Sequence, residues 1–266
     1  MIVSAACVDV TGSSRALDVA YVSEDKVLLQ PLANVDQLFY WIKVHEPKVL
    51  AIDAPCKTNQ NCVVTDPARH GIETGKYENF RVCEALLRMN GIGLYNTPRE
   101  KPPEWIKTGW KIFDSIKGLG YSLWETPGKV SLKPGTKYVL EVHPHACFVV
   151  GLGWIPQTKS SLAGQFERIA YLKHEAQLLD LDMNATPIDR KVLDELNAAL
   201  SDWDKIRSEG LDFPEISHDE LDSIAGLFTA INAIRGEAFA TGYEVDGVIV
   251  TPSELADSTY CTKHRT

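Results

Sequence analysis

The chain has 266 residues, 44% of them hydrophobic, and a net charge of -9, enough apolar matter for one substantial core and a total that argues against nucleic acid as a partner, an objection that the uneven distribution of the charge softens. No apolar run approaches the roughly 20 residues of a membrane span, and Asp9 precedes the first basic residue, Arg15, which points to a cytoplasmic protein with no secretory leader and no membrane partner. The six cysteines (Cys7, Cys56, Cys62, Cys83, Cys147 and Cys261) form no CxxC pair, so buried, reduced thiols are expected in place of disulfides or a zinc site.

Ile2 to Val10 is a continuous apolar run of small residues, fit for a strand buried on both faces, and Asp9 stands at its end. Thr11-Gly12-Ser13-Ser14 follows as turn chemistry, so Asp9 either caps that turn or faces a site. Ala16 to Val22 and Val27 to Gln30 are rich in β-formers around the turn Ser23-Glu24-Asp25-Lys26, which predicts an antiparallel meander with the first strand. Val35, Leu38, Phe39 and Ile42 recur at helical spacing over Val35 to Val44. Val49 to Pro55 is a second buried strand, and Pro55 ends it where Asp53 is presented. Two strands that end in Asp raise the prospect of a site, because ligands in such sheets bind beyond the strand carboxyl ends.

Tyr77 to Met89 has a helical pattern with Phe80, Cys83, Leu86 and Leu87 inward and Arg81, Glu84 and Arg88 on other sides. The charge is spread unevenly: residues 95–137 carry eight Lys and Arg against four Asp and Glu, whereas 175–222 carries four against fourteen. The basic stretch interleaves Trp105, Trp110, Tyr121 and Trp124, and Ile106, Trp110, Phe113 and Ile116 predict an amphipathic helix there. Basic residues with aromatics can stack bases and meet phosphates, and they also describe an inserted lid helix; we favour a lid whose tryptophans pack and some of whose lysines meet a ligand. Tyr138 to Pro144 is a third buried strand, in which Glu141 demands a partner or a metal and His143 can ligate, relay protons or cap the strand.

Leu162 to Leu179 is a long helical pattern, with Lys159 and Arg168 as cations near its start. Val192 to Leu200 is a shorter one, followed by the acidic linker Ser201 to Glu215. Ser217 and Glu220 then form a capping box that opens a helix running to Ile234 or beyond, with Leu221, Ile224, Ala225, Phe228 and Ile231 on its buried face. Asp219 and Asp222 are three apart on the flank of that face, at the positive end of the helix dipole. Gly247 to Thr251 is a last apolar strand. Neither repeats nor low-complexity segments break the chain, so a single α/β domain over 1–266 is predicted, with 95–137 inserted in it.

Asp9, Asp53, Glu141, Asp219 and Asp222 each sit at an end of an element where one sheet edge can gather them. Carboxylates held together repel, and hard oxygen ligands suit magnesium or manganese. The order of three antiparallel strands ending in Asp9, a helix, a strand with Asp53 and a late helix opening Asp219-x-x-Asp222 resembles the RNase H-like nuclease superfamily. Within it, Ile52-Asp53-Ala54-Pro55, Arg81-Val82-Cys83-Glu84, Glu141-Val142-His143-Pro144 and His218-Asp219-Glu220-Leu221-Asp222 resemble domain-of-unknown-function family 429, whose members are described as predicted nucleases, over nearly the whole chain. RuvC-type Holliday-junction resolvases are similar in motif style. The resemblance implies a mixed sheet of three antiparallel strands followed by parallel ones, flanked by helices. It also implies two magnesium or manganese ions held by Asp9, Asp53, Asp219 and Asp222, Glu141 at the catalytic site, and hydrolysis of a phosphodiester. Lys159, Arg168, Arg81 and His143 would meet the substrate, a DNA or RNA. Resolvase-like chemistry on two strands would suit a homodimer. The chain departs from the characterised nucleases in having Asp53 where they usually carry Glu.

Two other classes fit parts of the sequence. Asp9-Val10-Thr11-Gly12-Ser13-Ser14 resembles the first phosphate loop of sugar kinases and actin relatives, ATP-dependent phosphotransferases of the same fold, and a non-catalytic nucleic-acid or protein-binding module would keep the fold without turnover.

Overall fold

The structure, a computed structural model, describes residues 3–10, 17–181, 217–256 and 259–261. The Thr11 to Ser14 turn, the Val192 to Leu200 helix and the acidic linker expected from the sequence lie outside these residues. The first strand, β1 (Val3–Asp9), pairs antiparallel with β2 (Leu17–Ser23), which pairs antiparallel with β3 (Lys26–Leu32). After helix α1 (Val35–His45) the chain returns as β4 (Val49–Asp53), parallel to β1. Strand β5 (Tyr121–Leu123) and then β7 (Lys137–Glu141) add further parallel strands. The six-stranded mixed sheet runs β3-β2-β1-β4-β7-β5. The intervening β6 (Gly128–Lys129) joins β8 (Phe239–Tyr243) and β9 (Gly247–Thr251) in a second, antiparallel sheet, tied to the first by a bridge between Val142 and Val250.

Strand alternation sorts the core into two layers. Ala5 and Cys7 of β1, Ala20 and Val22 of β2, Val49 and Ala51 of β4 and Leu140 of β7 face one side. There they pack on Leu221, Ile224, Ala225 and Phe228 of α7 (His218–Arg235). Ala6, Val8, Val19, Leu50, Ile52 and Val139 face the other side, against Leu38, Trp41 and Ile42 of α1 and Ile112, Phe113 and Ile116 of α4 (Glu104–Gly118).

Helix α7 is buried almost all round because α5 (Pro144–Leu152) and α6 (Leu162–Leu178) cover its outer side. Its closeness to the sheet depends on one residue. A Cβ on Gly226 would stand 2.2 Å from Cys7 Sγ and 3.2 Å from Val142 Cγ2, so only glycine lets the helix settle on β1.

Most of the predicted elements recur within a residue or two. The segment 77–89 differs: after the one-turn α2 (Cys62–Thr65), the helix α3 spans only Val82–Met89, and Tyr77 has a positive φ of 58°. Its start is set at Arg81, whose backbone N–H donates to Glu84 Oε2 at 3.0 Å. The basic stretch 95–137 supplies α4 and the edge strand β5, so it is woven into the sheet. All six cysteines are free thiols, five buried and Cys261 exposed. No helix among the described residues is long and apolar enough to cross a membrane.

Candidate metal centre

Asp9 and Asp53 are the last residues of neighbouring parallel strands and are in register with each other. Asp9 shares the parity of Ala5 and Cys7, and Asp53 that of Val49 and Ala51, so both carboxylates are carried on the face that α7 covers. The first turns of α7 supply Asp219 and Asp222. The register of those turns is held by the capping box: Glu220 N donates to Ser217 Oγ at 3.1 Å, and Ser217 N donates to Glu220 Oε2 at 2.7 Å. Ligand atoms of Asp9, Asp219 and Asp222 lie within 4.8 Å of one another.

Two cations and two histidines surround this cluster. Lys159 Nζ donates to Asp222 Oδ2 at 3.1 Å, while about half of the lysine side chain stays exposed. Arg168 is buried, and its Nη1 donates to the carbonyls of Gln157 and Gly164 at 2.9 and 2.8 Å, with the guanidinium over the Phe148 ring. His143 Nδ1 lies 3.8 Å from Asp53 Oδ1. Although His143 occupies the cap position of α5, its side chain makes no cap hydrogen bond. His145 stands edge-on to His143, ring centroids 6.4 Å apart. All of these groups line one cleft of about 940 Å³, together with Tyr95 and Trp105.

The electrostatics of the acids are those of a crowded, buried set. Burial first, then the charges of Asp53, Asp222 and Asp219, push the Asp9 carboxyl up to about 9, with Lys159 pulling the other way. Burial also raises Asp222, and the Lys159 ammonium eases it. Burial opposes charge on Lys159, but Asp222, with Asp219 and Asp9 behind it, holds its pKa above the ordinary value. For His143, burial is likewise outweighed by the Asp53 carboxylate beside it, which raises its pKa. His145 is pushed down to about 4 by burial and then by His143, Arg168 and Lys159.

An Asp9 carboxyl pushed upward by burial and by three neighbouring acids marks a site short of positive charge. Oxygen ligands about 2.1 Å from a magnesium ion stand roughly 3 to 4 Å apart, so the carboxylates of Asp9, Asp219 and Asp222 need to close only slightly on one ion. The donor set, all oxygen and partly buried, fits a hard divalent cation and could hold one.

Glu141 and Arg81 belong to a different arrangement. Glu141 shares the parity of Val139, which directs it to the opposite face of the sheet from Asp9 and Asp53. Its Oε2 accepts from Arg81 Nη1 at 3.0 Å and from the Cys56 N–H at 2.8 Å, and its Oε1 accepts from Arg81 Nη2. Arg81 Nε donates to Glu84 Oε1 at 2.8 Å, and Glu84 also accepts from the Thr97 N–H and hydroxyl. Expected from the pattern to point away from the core, Arg81 and Glu84 are each 1% exposed. The arginine reaches the cleft wall as the counter-ion of two buried glutamates.

Asp18 is an acid of this region that the sequence reading passed over. It pairs directly with Asp9 across the β1–β2 ladder, and its carboxyl is pushed up to about 6 by burial and then by Glu220 and Asp219. Its own position was the signal: in an antiparallel pair the start of the second strand lies beside the end of the first, and Asp18 is the second residue of β2.

Compared with known proteins, the chain matches the family model described as "Protein of unknown function (DUF429)" over residues 8–245. That span runs from just before Asp9 to beyond Asp222. Neither the comparison with curated proteins nor that with solved structures gives a match.

Proposed function

We propose that this chain, which belongs to the DUF429 family of proteins of unknown function, is a divalent-cation-dependent nuclease. The observation that carries the reading is the meeting of Asp9, Asp219 and Asp222 within 4.8 Å at the carboxyl edge of the sheet, with Asp53 abreast of Asp9. The mixed sheet, antiparallel through β3-β2-β1 and parallel from β1 to β5, with α7 laid across it, supports an RNase H-like ancestry.

In this reading Asp9, Asp219 and Asp222 hold one magnesium or manganese ion, and Asp9 with Asp53 a second. When bound, such a pair of ions supplies the charge that steadies the attacking and leaving oxygens of an in-line displacement at phosphorus. The chain's own groups do the rest. His143, 3.8 Å from Asp53, would steady that carboxylate abreast of Asp9. Lys159, half exposed, offers its ammonium to a phosphate oxygen while it neutralises Asp222. Arg168, tied to backbone carbonyls, adds a fixed positive charge to the wall. Glu141 and Arg81 act on stability, as a buried pair that shapes the cleft wall.

The test is cleavage of a panel of single-stranded, duplex and branched DNA and RNA with magnesium or manganese. Cation-dependent cleavage by the wild type that is lost in Asp9→Asn and Asp222→Asn is the expected result. Cleavage that persists in Asp9→Asn, or survives removal of the cation by a chelator, contradicts the reading.

A further inference from the structure

The tryptophans of the basic stretch have separate employments. Trp124 packs edge-on against Tyr138 with ring centroids 5.9 Å apart, and its Nε1 donates to the Thr126 carbonyl at 2.8 Å. Trp105, half-buried, lines the cleft of the acids. Its place follows from how α4 sits. Gly109 brings that helix against the end of β4, where a Cβ would stand 2.5 Å from Ala54 Cβ. Trp105 precedes Gly109 by four residues and so shares its face one turn earlier. The buried stripe Gly109, Ile112, Phe113 and Ile116 continues from that face into the core. The indole therefore stands where the stripe runs off the sheet edge, beside Asp53-Ala54-Pro55. Tyr95, 83% exposed, lines the same cleft.

Resting on the nuclease reading, we propose that the substrate is single-stranded nucleic acid, one of whose bases stacks on Trp105 while the adjoining phosphate lies at the aspartates. The burial of the acids, the chemistry of the two forms of nucleic acid and the charge of the cleft carry it. Asp9 and Asp222 are only 6% and 9% exposed, so a phosphate reaches them only by entering the cleft. A duplex keeps its bases paired and stacked and offers no free base face to an aromatic side chain beside the acids. A single strand has unstacked bases, each with a face for an aromatic ring. The net charge of -9, relieved in the cleft by Lys159 and Arg168, suits a ligand that presents few phosphates at once.

The experiment measures anisotropy of a labelled single-stranded oligonucleotide, and of a duplex of the same sequence, with the full chain in calcium. Magnesium-dependent cleavage is assayed separately. Trp105→Ala should weaken single-strand binding by about ten- to a hundredfold, and Trp105→Phe, which keeps a ring, should restore most of it. Circular dichroism of both variants checks that the half-buried position has not unfolded the chain. Single-strand binding unchanged in a folded Trp105→Ala, or duplex bound as tightly as the strand, overturns the proposal. If magnesium-dependent cleavage persists alongside either result, the nuclease reading stands and this inference falls alone. If no nucleic acid is bound or cleaved, both fall. Displacement of the strand by a mononucleotide at equal concentration would assign the cleft to a small phosphate ester and overturn the single-strand assignment.

Discussion

Asp9 is the residue on which the charge balance of the cleft turns. In the native chain its carboxyl titrates near 9, against about 4 in an unfolded chain. Between those values the folded protein holds a proton that the unfolded chain has released, so the contribution of this carboxyl to stability is fully present below about pH 4 and is lost as pH rises toward 9. One such proton corresponds to a slope of up to about 1.4 kcal/mol per pH unit. Urea unfolding of the cation-free protein from pH 5 to 8 should show that decline, and Asp9→Asn should flatten it. Identical slopes in the two proteins would remove the physical basis for a cation-demanding Asp9. Glu141 offers the contrasting case. Removing one partner of a buried ion pair costs about 3 to 5 kcal/mol, so Glu141→Ala should lower urea stability by that order, because Arg81 is left with one carboxylate, Glu84, and the Asp246 carbonyl. Manganese affinity measured by calorimetry on the folded fraction should stay within about threefold of wild type. Affinity lost in step with that of Asp9→Asn would make Glu141 a ligand.

Helix α7 carries two of the three clustered acids, so its seat on β1 sets their distance from Asp9. Gly226→Ala would drive a methyl to within 2.2 Å of Cys7 Sγ. Overpacking of this kind costs about 1 to 3 kcal/mol, and the helix, one turn from Asp222, should shift enough to weaken manganese binding tenfold or more. Adding Cys7→Ala to make room should recover a large part of both losses. A double variant no better than Gly226→Ala alone would show that this contact does not govern the site. Much of this helix was legible beforehand: Ser217 with Glu220 fixed its start, and the spacing of Leu221, Ile224 and Phe228 fixed its buried face. What the sequence did not reveal is instructive. Strand β5 is three residues long and β8 includes Gly242 with a φ of 138°, so neither carries an alternation long enough to read. Arg81 was placed off the inward face of its helix, as a substrate contact, because helical spacing reports position and not partners, and its partner Glu141 is 60 residues away.

Across the molecule, the site exists because β1, β4 and α7, distant in sequence, end at one edge of a mixed sheet. Asp9 and Asp53 were identifiable as strand ends, yet their common face follows only from the parallel register of β1 with β4. The same register, extended to β7, separates Glu141 from them, a distinction that three strands ending in acids could not make on their own. The acidic total of the chain likewise conceals a cleft in which Lys159 and Arg168 stand beside the aspartates. The most direct measurement of the central claim is anomalous diffraction from a crystal equilibrated with manganese. A peak within about 2.0 to 2.4 Å of carboxylate oxygens of Asp9, Asp219 and Asp222, absent in Asp9→Asn, is the expected result. A wild-type map at saturating manganese with no peak among these three residues would contradict it.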